Sequence, residues 1–294
     1  MVPDTLSDLI EGRDYLRFSH EAMATTFEIL ISDEGATYAA QAAAACFRQL
    51  DDLERQLSRY LPHSDISRLN RAAVGESVVL GIEAMACLQQ AQKLYDLTAG
   101  ALDVTIGQWT LGVKQESRLN QERDTFNLML DSETMTAVRL REDVSVDLGA
   151  IGKGFALDCL RDILKEWKVR RALLHGGSST ALALDAPVGH AGWPVTISHP
   201  MLFPQVIQSL VLVHRAVSGS AQQSRDHILN PKTVTPVADV SATWSFCTHG
   251  AFADGLSTAF MVLSSQEIKT TTATHPEVNC VRIMASGEVE RMGW

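Results

Sequence analysis

Apolar residues fall along the chain in four stretches of helical spacing, set among shorter alternating runs. From about Ala36 to Ser58, Ala39, Ala43, Cys46, Leu50, Leu53 and Leu57 recur at steps of three and four. Arg48, Asp51, Asp52 and Arg55 lie elsewhere on the wheel, which predicts an amphipathic helix. A second helix is expected from Ile82 to Leu97, with Gly100 suited to its stop. A third carries Ala156, Cys159, Leu160, Ile163 and Trp167 on one face, and a fourth runs from about Ala251 to Leu263. Alternation predicts strand, turn and strand over 15–32, then a strand pair at 137–140 and 144–148. Further strands are expected at 171–184, 193–198, 208–217, 236–247, 279–284 and 287–291. Residues 60–70 read as a loop and 114–135 as a polar connection. Helices come in clusters and strands in runs, so the class is α+β rather than a doubly wound sheet. No repeat or Pro/Gly/Ser-rich linker divides the chain, which predicts one domain over 1–294 with residues 1–14 peripheral.

With 294 residues and 46% apolar content the chain has ample material for a core. Its formal charge of −10 and lack of a basic run argue against nucleic acid as a partner. Asp4, Asp8, Glu11 and Asp14 are unlike a secretory leader, and no apolar run approaches the ~20 residues of a membrane span. Cys46, Cys87, Cys159, Cys247 and Cys280 are odd in number and form no C-x-x-C pair. Reduced core thiols in cytoplasm are expected, or a periplasmic location if a leader has been removed.

An acidic protein that handles an anion must do so with local devices, and one segment offers several. Residues 146–158 put a strand end, three glycines, Lys153 and a helix start into thirteen positions. Amides and dipole at a helix N-terminus favour negative charge, and glycines admit close approach. The spacing fits neither a Walker A loop, since Gly154 follows Lys153, nor G-x-G-x-x-G. A tight strand–helix connection accounts for the segment equally well. In the fourth helix, Asp254 and Thr258 are four apart and so share a face. They are hard ligands suited to Mg2+, or else an early-helix carboxylate and a threonine bonded back to a carbonyl. His227 stands among polar groups before a turn and titrates near neutrality. Asp103 sits just past a helix stop, where a cap is one reading, and Ser218-Gly219 alone is a turn signal.

Taken in order, these segments resemble the FAD:protein FMN transferase (ApbE) family. The resemblance runs from about Phe18 to Leu263. It is carried by Met23-Ala24-Thr25, by Leu57 to Tyr60 with Ser64 to Asn70, by Gly100 to Asp103, and by Asp147 to Asp158. It continues through Ser218-Gly219, His227 to Pro231, and Ala253-Asp254 to Thr258. The family implies a two-lobed, T-fold-like α+β fold with mixed or antiparallel sheets, flanking helices and an FAD site between the lobes. It also implies Mg2+ and transfer of FMN from FAD, by a phosphoester, to a Thr or Ser hydroxyl of an acceptor flavoprotein, releasing AMP.

Carried over by position, Met23, Tyr60, Ala101, Leu102, Asp103, Asp147, Lys153, Ser218, Gly219 and Ile228 are implied FAD contacts. The Ala150 carbonyl, Asp254 and Thr258 are the implied metal ligands, and His227 the implied catalytic group. Three places depart from the family pattern. His175-Gly176-Gly177-Ser178 stands where the family has asparagine before its Gly-Gly and aspartate after it. Val234 replaces a glycine after Thr233, and Ala24 replaces the glycine of Met-Gly-Thr. These departures leave two alternatives to transfer: hydrolysis of FAD to FMN and AMP, or flavin binding without turnover.

Overall fold

A computed structural model describes residues 15–107, 125–200, 205–222 and 228–294. The chain begins β1 (Tyr15–Ala22), β2 (Thr25–Ser32), α1 (Ala36–Leu57), α2 (Asp65–Arg71), β3 (Ser77–Val79), α3 (Ile82–Leu97), β4 (Leu128–Asp131) and β5 (Thr136–Arg139). Next come α4 (Gly152–Glu166), β6 (Ala172–Gly176), β7 (Thr180–Ala183), β8 (Trp193–Ser198), β9 (Val206–Leu212) and β10 (Arg215–Ala221). It ends β11 (Leu229–Asn230), β12 (Thr235–Pro236), β13 (Val240–Cys247), α5 (Gly250–Val262), α6 (Ser265–Thr274), β14 (Asn279–Met284) and β15 (Val289–Met292).

Eight strands form one sheet in the order β1-β2-β6-β7-β10-β13-β14-β15, every neighbouring pair antiparallel. Spatial order follows chain order, so the sheet is a meander into which helices and smaller sheets are inserted. Period-two alternation divides its side chains between two layers. Phe27, Ile29 and Ile31 of β2 join α1, α3, α4 and α5 in the main core. Leu30, Leu173, Ala181 and Val217 face the other way, where the β8–β9 hairpin covers them with Trp193, Val195, Ile197 and Leu212. The six apolar positions that predict α1 are all buried. Helix α5 is buried nearly all round, as a helix enclosed by others and by a sheet must be, and its small residues permit this.

Several boundaries differ from expectation, for local reasons. The segment expected to be a loop at 60–70 contains α2, whose Ser64 cap accepts from the Ser67 amide at 3.0 Å. Seven residues are too few to show periodicity. The expected strand at 144–148 is an irregular connection that makes only an isolated bridge, Ile106 to Ser145. Its amides bond to Thr105, Val104 and the Asn70 side chain instead of a strand ladder. The partners of β5 are β3 and β4, the latter inside the stretch read as polar connection. The run 171–184 is two strands turning at Gly177 (φ +65), and 208–217 spans a break between β9 and β10 where His214 takes φ 48. Residues 265–274 form α6, opened by a reciprocal Ser264–Glu267 capping box. All five cysteines are free thiols, four of them buried. No described helix is long and apolar enough to cross a membrane. Residues 1–14 lie outside the described residues.

Candidate functional site

Helices α4 and α5 cross at Gly154 and Gly250, so closely that a Cβ on Gly154 would stand 1.9 Å from the Gly250 carbonyl oxygen. A Cβ on Gly250 would stand 2.4 Å from that of Gly154. Four residues on, each helix carries an aspartate that binds the N-terminus of the other. Asp158 accepts from the Gly250 and Ala251 amides at 2.9 Å each, and Asp254 Oδ2 accepts from the Gly154 amide at 3.0 Å. The motif G-x-x-x-D thus occurs twice, and this signal is present in the sequence.

The two aspartates then differ. Asp158 is buried and paired with Arg161 at 2.8 Å. Burial raises its pKa against the opposing pull of Arg161 and the two amides. Asp254, 3% exposed, has its Oδ1 held by the Ser218 hydroxyl at 2.8 Å and Thr180 at 3.4 Å. Lys153 Nζ stands 3.6 Å from the same oxygen and 3.5 Å from the Gly149 carbonyl. Strand β10 supplies Ser218 and, two residues on, Ser220, which lies 3.1 Å from Thr258 Oγ1 and 2.8 Å from Ser257 Oγ. Thr258 therefore meets the strand, while the Asp254 carbonyl accepts from Ser257 Oγ at 2.8 Å.

Of the sequence-predicted residues, the structure brings Lys153, Asp254, Ser218 and Thr258 together here, and others connect to them through neighbours. Asp147 accepts from Arg59 at 2.5 Å and from the Gly149 amide at 2.9 Å, which fixes the start of the glycine turn. Arg59 also donates to the Gly107 carbonyl and lies 5.8 Å from the ring centroid of Tyr60, which is 77% exposed. That exposure leaves a flat aromatic face available for stacking. Ala101 and Leu102 are buried, and Leu102 packs so near Gly255 that a Cβ there would approach it to 2.9 Å. Asp103 is buried, with Oδ1 bonded to the Thr105 amide and hydroxyl, as in a capping turn. Met23 and Ala24 form the β1–β2 turn at φ 51 and 58, and the Met23 amide donates to Glu54 at 3.1 Å. Neighbouring Thr25 touches Gly177, and Gly176 faces Lys153 Cβ at 3.4 Å from an added Cβ.

Other predicted residues sit differently. The Ser218 side chain is fully buried beneath Asp254, so its hydroxyl supports the carboxylate from below. Gly219 backs onto the Trp244 indole. The Ile228 carbonyl accepts from the Val237 amide at the foot of β11–β12. His227 lies outside the described residues. Position 176 faces α4, so His175 one residue earlier faces the opposite layer, away from Lys153. Burial, with Arg17 adding repulsion, pushes the His175 pKa down to about 4. Thr180, Ser220, Arg59 and Asp158 were given no role from sequence: isolated hydroxyls carry no spacing signal, while Arg59 and Asp158 lie inside quoted segments, and the repeated G-x-x-x-D would have marked Asp158.

Among the described residues no group of three or more His, Cys, Asp or Glu converges as a metal cage. The candidate donors are one carboxylate, one hydroxyl and the Ala150 carbonyl, all hard oxygens. That set fits Mg2+, which takes few protein ligands and keeps water and phosphate oxygens.

The model of the ApbE family matches residues 23–282. The FAD:protein FMN transferase of Vibrio cholerae is 24% identical over 277 residues, 86% of this chain and 83% of that one. The protein of the same name from Haemophilus influenzae is 23% identical over 283 residues, 86% and 82%. Among solved structures, the ApbE protein of Thermotoga maritima superposes with a TM-score of 0.81 at 22% identity, covering 95% of this chain and 97% of that chain. The flavin transferase ApbE of Vibrio cholerae gives 0.78 at 20% over the same shares. The family match and these relatives mark the protein as an enzyme of the transferase class. The chain belongs to the ApbE family.

Proposed function

We propose that this transferase moves FMN from FAD to a Thr or Ser hydroxyl of an acceptor flavoprotein, with Mg2+, forming a phosphoester and releasing AMP. The observation that carries the reading is the approach of Lys153 to Asp254, 3.6 Å, at the N-terminus of α4 and one helical turn from Thr258. Those groups come from segments a hundred residues apart and meet around hard oxygen donors.

Splitting a pyrophosphate asks for charge neutralisation and in-line placement of the attacking hydroxyl. Asp254, Thr258 and the Ala150 carbonyl would hold the cation, which supplies charge neutralisation at phosphate oxygens. Lys153 and the positive end of α4 add fixed charge beside it. Arg59 and the Gly149 amide hold Asp147, while exposed Tyr60 offers a stacking face for a ring of FAD. His227 is the proposed base for the acceptor hydroxyl. The His175 departure leaves the Lys153 side of the sheet untouched, which favours turnover over silent binding.

Incubation with FAD, Mg2+ and a candidate acceptor is expected to give an acceptor that stays fluorescent after denaturation, and Asp254→Ala abolishes it. AMP release without any acceptor would shift the reading to hydrolysis. Tight FAD binding with no AMP under any divalent cation would remove the enzymatic reading altogether.

A further inference from the structure

Strand β10 and helix α5 run side by side with matched spacing. Two residues of strand advance about 6.6 Å and four residues of helix about 6 Å, so Ser218 meets Asp254 while Ser220 meets Thr258. The second contact belongs to a chain of three hydroxyls whose direction is set by counting protons. Ser257 Oγ lies 2.8 Å from the Asp254 carbonyl, which only accepts, so the single Ser257 proton goes there. Ser257 must then accept from Ser220 at 2.8 Å, which uses the single Ser220 proton. Ser220 in turn must accept from Thr258 at 3.1 Å. The Thr258 proton is thereby committed to the strand, and only lone pairs remain on the partly exposed side of its oxygen.

We infer that Ser220 is a positioning residue that makes Thr258 a pure acceptor, fitting the Asp254–Thr258 face for a hard divalent cation. A hydroxyl free to turn its proton outward would repel a cation part of the time and add an ordering cost to binding. The Ser218–Asp254 contact does the parallel task for the carboxylate. There the Ser218 proton is committed to Asp254 Oδ1, and the Thr180 hydroxyl lies 2.9 Å from Ser218 and 3.4 Å from the same carboxylate oxygen. Ser257 anchors the chain and is fully buried, whereas Ser220 is partly exposed and can be changed with less disturbance to the core.

The inference rests on the metal reading given above, and one titration separates the two. Mn2+, a hard cation detectable by electron paramagnetic resonance, is titrated into wild type, Asp254→Ala, Ser220→Ala and Ser220→Thr, each checked for its unfolding midpoint. Wild type is expected to show a site that Asp254→Ala removes. Ser220→Ala weakens it about tenfold, in line with outer-shell changes at metal sites, and Ser220→Thr restores it to within about threefold. In the flavin reaction, Ser220→Ala raises the Mg2+ concentration for half-maximal rate while the rate at saturating Mg2+ stays within about twofold. Mn2+ affinity of Ser220→Ala within twofold of wild type, with the Asp254-dependent site intact, overturns the inference and leaves the metal reading standing. A change in unfolding midpoint without a change in affinity overturns it too, since Ser220 is then only structural. Absence of any Asp254-dependent site in wild type overturns both.

Discussion

Gly152 and Gly154 are expected to respond to alanine in different ways, and Gly154 provides the sharpest test of the crossing. An alanine Cβ at 154 falls 1.9 Å from the Gly250 carbonyl oxygen, about 1.5 Å short of ordinary contact. Both partners are helix backbone, so no side chain can swing aside. The helices must separate, which stretches the 3.0 Å bond from the Gly154 amide to Asp254. Overpacking of this kind costs ~1–3 kcal/mol, and loss of a hydrogen bond to a charged group adds ~1.5–3. A loss of about 2.5–6 kcal/mol follows, or roughly 4–10 °C in unfolding midpoint for a chain of this size. Gly152→Ala is the internal control. Its Cβ meets nothing within 4 Å outside its own helix, so it is expected to stabilise the metal-free protein by about 0.4–1 kcal/mol. Urea and thermal unfolding without FAD or metal measure both. Equal effects from the two substitutions, or a loss below about 1 kcal/mol for Gly154→Ala, would refute the crossing as the organising contact.

Three further outcomes are expected. Neutral His175, with its pKa near 4 in the folded chain against an ordinary 6.5, binds fewer protons folded than unfolded between those values. Stability therefore falls as pH drops through that window, by about 3 kcal/mol in total at full depth, and His175→Asn flattens the fall in urea midpoints measured from pH 7 to pH 4. Asp158→Ala strips the Gly250 and Ala251 amides and Arg161 of their acceptor and should cost about 3 kcal/mol in chemical denaturation; a loss under 1 kcal/mol would mean that the α5 N-terminus finds other partners. Val234 keeps the positive φ of 53 that a glycine would adopt freely, so Val234→Gly should raise stability by about 1 kcal/mol, and a lower unfolding midpoint would show that the valine side chain outweighs the strain.

The sequence made the large amphipathic helices legible because burial is written at a fixed period in α1, α3 and α4. It was less clear wherever stabilisation comes from contacts distant in sequence. The segment 144–148 looks like a strand by alternation, yet its amides are satisfied by Asn70 and by residues 104 and 105. Helix α6 lacks a strong apolar stripe, and only Ser264 with Glu267 announces it. In the candidate site, type and spacing made Lys153, Asp254 and Thr258 candidates but left structural readings open, and the family resemblance decided between them. Ser218 could be placed near the site but not assigned its task, since the direction of a serine hydroxyl depends on a strand–helix register that no local pattern shows.

The duplicated G-x-x-x-D motif explains why the two aspartates end in different hydrogen-bond surroundings. Helix α5 starts at Gly250 itself, so the two amides nearest Asp158 lie at the very beginning of the helix and both close on the carboxylate. Helix α4 starts two residues before its glycine, at Gly152. The amide matching Ala251 is then that of Phe155, which is already bonded within its own helix to Ile151 at 2.9 Å. Asp254 receives one amide where Asp158 receives two, and its second oxygen is left to a hydroxyl and a lysine. Those two extra residues also carry the α4 N-terminus past the crossing and set Lys153 beside Asp254. The residue matching Lys153 before Gly250 is His249, whose ring nitrogen pairs with the Thr248 hydroxyl at 3.0 Å. A shift of two residues in where a helix begins thus turns one copy of a symmetric packing motif into a two-amide structural cap and the other into a buried carboxylate flanked by a hydroxyl and a lysine.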